Sequence, residues 1–134
     1  MATIKKLEDF RAWQRARELN LLIFSLVAIP ALVKHSDLYF QMKKSSRSVM
    51  ANLAEGFSRK GNKEFQNFIS IALGSLTELK SDVYICMDLK IIPEQDLKTI
   101  LELIRNVEKA SNGMAYYLRN SELKGVKFKN KEDC

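Results

Sequence analysis

The sequence contains few of the residues that interrupt helices. Its 134 residues include only two prolines and five glycines. So few chain-breaking residues favour long helices over many short strands. Apolar residues still make up 46% of the chain, which is enough for the core of one ordinary domain and excludes a disordered protein.

Residues and motifs that carry common chemistry are also scarce. The sequence has one histidine and two cysteines, and it contains no P-loop, no G-x-G-x-x-G and no G-x-S-x-G motif. Leu32 stands three residues before His35, where a di-iron bundle would need glutamate. Cys86 has no evident base to activate it, and the cysteines form no C-x-x-C pair that would indicate redox chemistry. We therefore predict that the protein is not an enzyme and binds no metal or cofactor.

No segment has the length and apolar character of a membrane span. The most apolar run covers residues 19–33 and is interrupted by Asn20, Ser25 and Pro30. A bilayer crossing needs about 20 predominantly apolar residues. The helical pattern also begins before this run, through charged positions that a signal peptide would lack. We expect a cytoplasmic protein without a membrane partner.

Four segments show the apolar spacing of amphipathic helices. They cover about residues 7–28, 37–56, 63–90 and 93–119. Because the connections between them are short, the sequence predicts an all-α, antiparallel up-and-down four-helix bundle within residues 1–120. Residues 121–134 are polar and basic, and we expect them to form a loose tail.

Proline, serine and glycine indicate where these helices begin and end. Pro30 should end the first helix, because the residue before a proline disfavours helical geometry. Ser36 is a candidate N-cap for the second helix, and Gly56 a candidate left-handed residue just beyond its C-terminus. Pro93 is expected to be the first residue of the fourth helix.

The first helix carries more apolar residues than one bundle contact requires. Only the side with Arg11, Glu18 and Ser25 is consistently polar, whereas a helix packed on one face needs an apolar stripe of about 100°. The excess favours a contact with another subunit over a helix buried centrally in its own bundle. Gly74 lies inside the third helix, where close approach of another helix would offset the low helix propensity of glycine.

Positive charge is concentrated in the middle of the chain. The net charge is +6, and residues 41–63 contain six basic residues and one acidic residue. Such a field attracts polyanions, although lysines can also serve only to keep a protein in solution. The candidate nucleic-acid-binding residues are Lys43, Lys44, Arg47, Arg59, Lys60 and Lys63.

The charged stripe and the small residues of the second helix lie on opposite faces. Helical spacing places Lys43, Lys44 and Arg47 away from the face that carries Met42 and Val49. The sequence therefore predicts an outward cationic surface that contacts RNA or DNA phosphates. Docking of an acidic protein partner on the same surface is the alternative.

Polar residues also occur where the second and third helices should pack. Asn52, Glu55, Ser75 and Glu78 are predicted to form a structural polar network, because a buried carboxylate needs a partner. Catalysis by Glu55 or Glu78 is the less favoured interpretation, since it requires a pocket.

Four strings together resemble one family closely. They are Phe10-x-x-Trp13-Gln14-x-Ala16, residues 41–45 (QMKKS), residues 52–57 (NLAEGF) and residues 72–79 (ALGSLTEL). This combination, which spans about residues 7–118, resembles the four-helix bundle family of proteins encoded in 23S rRNA intervening sequences. Serines after the basic pair and Lys80 after Leu79 depart from the family pattern, which more often has alanine and an acidic residue there.

The resemblance implies an up-and-down bundle that assembles into a homopentamer with a central channel. It implies no established enzymatic activity. A more distant similarity connects the chain with the accessory variability protein of diversity-generating retroelements, a basic pentameric bundle associated with nucleic acid and a reverse transcriptase. By this analogy, a positively charged ring that binds RNA or DNA is the expected function.

Overall fold

The structure is a computed structural model that describes residues 3–121 and 128–129 of the chain. Its described helices are dominated by four long ones, so the predicted all-α class is confirmed. The α-helices are α1 (Arg11–Ser25), the short α2 (Pro30–Val33), α3 (Ser36–Ser58), α4 (Asn62–Leu89) and α5 (Glu94–Arg119). Single 3-10 turns cover Leu7–Asp9 and Leu26–Ala28, and two-residue strands cover β1 (Thr3–Ile4) and β2 (Phe128–Lys129).

The predicted continuous helix over residues 7–28 is interrupted near both ends. Phe10 has an extended backbone, with φ −79° and ψ 109°. Its fully buried ring meets Phe65 edge-on, with centroids 5.4 Å apart, and stacks on Phe57 at 6.1 Å. The extended residue separates the first 3-10 turn from α1. At the other end, Ile29 is extended because it precedes Pro30, as the sequence predicted.

Both predicted ends of α3 are wrong by a few residues. His35 occupies the N-cap position without a side-chain cap hydrogen bond, and Ser36 is already the first helical residue. Gly56 lies inside the helix and is buried, and α3 continues to Ser58. Glycine is present there because α4 passes close by, not because the chain needs a left-handed residue.

A residue with a left-handed backbone conformation follows α4 instead. Lys90 follows α4 with φ 55°, and the amides of Lys90 and Ile91 donate to the carbonyls of Met87 and Cys86. These bonds satisfy carbonyls that the end of a helix would otherwise leave free. Pro93 lies just before α5 as its N-cap, not at the predicted first helical position.

The four long helices pack side by side around one core. Helices α1 and α4 each pack against both α3 and α5, so α1 lies diagonally across the bundle from α4. Met42 near the start of α3 meets Cys86 near the end of α4, and Gly56 near the end of α3 meets Phe65. These two helices are therefore antiparallel. The largest fully buried side chains are Phe10, Leu19, Ile23, Leu32, Met42, Leu53, Phe65, Ile69, Leu76, Leu79, Ile100 and Ile104.

Part of the predicted tail is paired with the start of the chain. β1 and β2 are antiparallel, with Thr3 opposite Lys129 and Ile4 opposite Phe128. Ile4 is buried in the core cluster. Two residues of the predicted loose tail are therefore paired in a strand, while residues 122–127 and 130–134, which include Cys134, lie outside the described residues.

Candidate nucleic-acid interface

Two cations of α3 point into solvent. Lys44 and Arg47 are exposed, one helical turn apart, while Met42, Ser45 and Val49 of the same helix are buried. No carboxylate of a described residue lies within ion-pair distance of either side chain. This part of α3 therefore presents uncompensated positive charge to the solvent.

Lys43 lies in a different environment from its neighbours. Its side chain is half-buried, and Nζ lies 4.5 Å from the centroid of the Tyr39 ring and 5.9 Å from that of Phe24. An ammonium over ring faces is attracted by their negative charge density. The prediction that Lys43 radiates outward with Lys44 is therefore wrong, because aromatic rings of α3 and α1 hold it.

Arg59 is neutralised by its neighbours. Its Nε donates to Glu55 Oε2 at 3.0 Å, and its Nη1 donates to Glu64 Oε2 at 3.3 Å. The guanidinium also lies over the Phe68 ring, 5.3 Å from the centroid. Arg59 thus joins the end of α3 to the start of α4, which corrects its predicted role as a free phosphate contact.

The remaining cations of the α3–α4 turn are accessible. Lys60 and Lys63 are both exposed, and neither pairs with a carboxylate of the described chain. We call Lys44, Arg47, Lys60 and Lys63 the cationic face. Four of the six predicted side chains therefore remain available to a polyanion.

The predicted polar network is smaller and differently composed. Asn52 Nδ2 donates to Ser48 O at 2.9 Å and to Ser48 Oγ at 3.1 Å, and Ser48 Oγ lies 2.9 Å from Ser75 Oγ. Ser48 is the link that sequence analysis missed. The helical pattern placed it beside Asn52, one turn away, but did not show that it faces α4.

The two carboxylates do not belong to this network. Glu55 and Glu78 are both exposed, so the prediction that they are paired inside the bundle is wrong. Glu55 binds Arg59 instead. Partial burial, together with the nearby charge of Glu78, raises the pKa of Asp82.

Other titratable groups show no arrangement that would hold a metal. Among residues 3–121, no group of three or more His, Cys, Asp or Glu side chains is suitably clustered. His35 is exposed. Cys86 is buried beside Met42, with Sγ 3.7 Å from Sδ, and burial, followed by the charge of Asp82, raises the pKa of the Cys86 thiol to about 11.

These observations define the class of protein: a helical bundle whose cationic face extends from α3 through the following turn to the start of α4. None of the described helices combines the length and apolarity needed to cross a membrane. The family model for the 23S rRNA-intervening sequence protein matches residues 8–113. The chain belongs to that family, as the sequence motifs indicated. No curated protein matches the chain.

Proposed function

We propose that the protein is a non-enzymatic, oligomeric bundle that binds the phosphate backbone of RNA or DNA. The observation that carries the proposal is the exposure of Lys44 and Arg47, neither of which pairs with a carboxylate in the part of the chain that the structure describes. Phosphate contacts release counterions from the nucleic acid, which supplies a favourable and largely sequence-independent free energy. A net charge of +6 adds long-range attraction.

The cationic face supports backbone contacts more than base recognition. Lys44 and Arg47 lie on a rigid helix, and Lys60 and Lys63 extend the charge along the turn and into α4. Of the aromatic rings on α3, Tyr39 is buried beneath Lys43 and Phe57 is half-buried, so Phe40 is the exposed one, which is too few for a stacking platform. Stacking of bases needs accessible aromatic side chains, so we expect binding that is sensitive to salt and tolerant of sequence.

Self-association is the second part of the proposal. Leu21 is 73% exposed and Val27 is 62% exposed on the outer side of the first helical segment, and Phe40 of α3 is 59% exposed. Apolar side chains of this size gain free energy when a partner removes them from water. We propose that a second copy of the chain covers them, in the five-subunit ring that the family resemblance implies. Repetition of the cationic face would then strengthen a weak site through avidity.

A salt titration with matched variants tests the nucleic-acid part. The double variant Lys44→Gln/Arg47→Gln removes two charges from α3, and Lys98→Gln/Arg105→Gln removes two exposed charges from α5, diagonally opposite. We expect only the first variant to weaken binding of a single-stranded RNA. The slope of log K against log salt should fall by about 0.7 for each lost phosphate contact.

Three results would reject this function. They are an RNA affinity that does not change with salt concentration, equal weakening of binding by both variants, and no weakening by either.

Light scattering of the native protein, with and without RNA, gives the mass of the assembly, and a monomer at micromolar concentration would reject the oligomer. Capture of one dominant acidic protein that survives nuclease would favour a protein-docking scaffold instead.

A further inference from the structure

A second basic site lies on a different side of the bundle, between α1 and α5. Arg11 and Arg15 of α1 face Asn106 and Lys109 of α5 across a depression of about 280 Å³. We call these four residues the α1–α5 notch. Arg11 and Arg15 are remote in sequence from Asn106 and Lys109. All four residues lie outside the basic segment 41–63.

The notch combines the cations of Arg15 and Lys109 with an amide that has no hydrogen-bond partner among the described residues, and Arg11, which also lines it, is already engaged elsewhere. The side chain of Asn106 is half-buried and makes no hydrogen bond with a described residue. Lys109 is exposed and forms no ion pair within the described part of the chain. Arg15 Nη1 donates to Glu18 Oε1 at 3.1 Å. Both members of that pair are substantially exposed, and such surface pairs are worth only about 0–1 kcal/mol.

We propose that the α1–α5 notch binds a phosphate group. A phosphate monoester carries about −1.5 to −2 charges and several strong acceptor oxygens. It could take hydrogen bonds from the Arg15 guanidinium and the Asn106 amide and ion-pair with Lys109. A carboxylate ligand offers one charge and two oxygens, which would leave most of these donors unused. The planar guanidinium is well suited to bidentate contact with phosphate oxygens.

The notch differs from the cationic face in shape and in the ligand it favours. The cationic face belongs to α3, the turn after it and the start of α4, where a polymer can lie along the surface. The notch is a concave site between two helices and has room for one phosphate with its attached group. The inference therefore stands without the proposed nucleic-acid function, and either one can fail alone.

Nuclear magnetic resonance titration can test the notch directly. The full chain is titrated with inorganic phosphate, adenosine 5′-monophosphate and a short RNA without a terminal phosphate, at constant ionic strength. We expect the first two ligands to shift the signals of the Asn106 side-chain amide and the Arg15 and Lys109 backbone. Chloride at the same ionic strength should leave these signals in place.

Substitution of Asn106→Asp puts a carboxylate into the notch with almost no change in shape. The control Asn112→Asp makes the same change on an exposed part of α5. We expect Asn106→Asp to weaken phosphate binding at least tenfold and Asn112→Asp to leave it within twofold. Arg11 already has an interaction partner, so it is left unaltered, and Arg15→Gln/Lys109→Gln should reproduce the loss.

Each outcome decides the inference. Saturable shifts that disappear in Asn106→Asp support the phosphate site. Shifts spread over the whole surface, equal weakening by both aspartates, or no response to phosphate overturn it. If Asn106→Asp abolishes phosphate binding while RNA affinity still depends on Lys44 and Arg47, the two sites are separate. If RNA affinity depends on neither of those cations but phosphate still binds, the notch stands and the proposed function falls.

Discussion

A side chain at position 56 would collide with Phe68. A Cβ atom built on Gly56 would lie 2.8 Å from Phe68 Cβ and 3.1 Å from Phe65 Cδ1. Real Cβ atoms essentially never come as close as the first of these distances, and Phe68 Cβ is bonded directly to the backbone of α4, so it cannot rotate away. The missing side chain therefore sets how closely α3 and α4 pack at this end of the bundle.

Replacement of Gly56→Ala should destabilise the fold. Extra volume in a packed core usually costs about 1 to 3 kcal/mol, because side chains or backbone must shift. The higher helix propensity of alanine would recover at most about 1 kcal/mol of this. Urea denaturation followed by circular dichroism measures the difference. A variant as stable as the parent chain would show that the α3–α4 contact can relax without cost.

Gly74 gives the matched case for the opposite effect. Apart from the backbone of α4 itself, no atom of the described residues lies within 4 Å of a Cβ atom built there, and Gly74 is exposed in the middle of α4. Within one chain, Gly74→Ala should therefore raise the free energy of unfolding by about 1 kcal/mol. In the proposed assembly, however, the added methyl group should hinder close approach of a neighbouring copy.

We accordingly expect Gly74→Ala to lower the native mass at a given protein concentration. Light scattering over a dilution series measures this effect, with the exposed substitution Ser70→Ala on the same helix as the control. An unchanged mass combined with higher stability would mean that the bundle tolerates this glycine and that no neighbouring chain contacts it.

The Tyr39 side chain of α3 forms hydrogen bonds with the C-terminal end of α1. Its hydroxyl donates to the carbonyls of Ile23 and Phe24, at 3.0 Å each. Burial raises the pKa of Tyr39, which keeps the hydroxyl protonated and able to donate. These carbonyls lie in the last turn of α1, where the backbone amide of Leu26 is their other donor.

The substitution Tyr39→Phe should lower the free energy of unfolding by about 0.5 to 1.5 kcal/mol, because it removes a hydrogen bond to carbonyls that then keep only the Leu26 amide as donor. Tyr84→Phe removes an exposed hydroxyl and should change stability by less than about 0.5 kcal/mol. Hydrogen exchange should also be faster in the last turn of α1 in Tyr39→Phe. Equal effects of the two substitutions would contradict the proposed role of the hydroxyl.

The buried Cys86 thiol should make stability depend on alkaline pH. Burial, and then the Asp82 charge, raises the pKa of this thiol from its ordinary value near 9 to about 11. The folded protein therefore holds this proton more tightly than the unfolded chain does. Below pH 9 both states are protonated and the thiol contributes no pH dependence, whereas stability should fall as the pH rises from 9 to 11.

We expect this loss to be on the order of 1 to 3 kcal/mol across that range. Tyrosines and lysines also titrate at alkaline pH, so the measurement compares the parent chain with Cys86→Ala. The stability of this variant should fall less steeply as the pH rises. In the variant Cys134→Ser, the Cys86 thiol of the folded protein should also react slowly with a thiol reagent at pH 8. Rapid modification without unfolding would show that the thiol is accessible.

Helical periodicity was enough to predict the four long helices. The predictions were less accurate where contact with a residue distant in sequence determines the local conformation. Phe10 fits the local helical pattern, yet its ring packs against Phe57 and Phe65 and its backbone is extended. Glycine often ends a helix, yet Gly56 lies inside α3, where a Cβ atom would collide with Phe68 of α4.

The candidate interface shows the same division between local and distant influences. The spacing of Lys44 and Arg47 correctly placed them opposite the buried residues of α3. The sequence could not show that Lys43 lies over Phe24 of another helix, or that Arg59 binds both Glu55 and Glu64. Nor could it show that Arg15 and Asn106 line the same α1–α5 notch.

The amino-acid sequence by itself determined the helices, the family and the concentration of positive charge, because these depend on residue order over short distances. Tertiary structure decided which of those charges remain free. A ring contact such as that of Lys43 with Phe24, or a concave site such as the notch, forms only when helices from different parts of the chain come together. Lys44 and Arg59 are both basic residues of the same segment, yet Lys44 stays in solvent, whereas Arg59 pairs with Glu55 one turn before it and with Glu64, which the turn into α4 brings within reach.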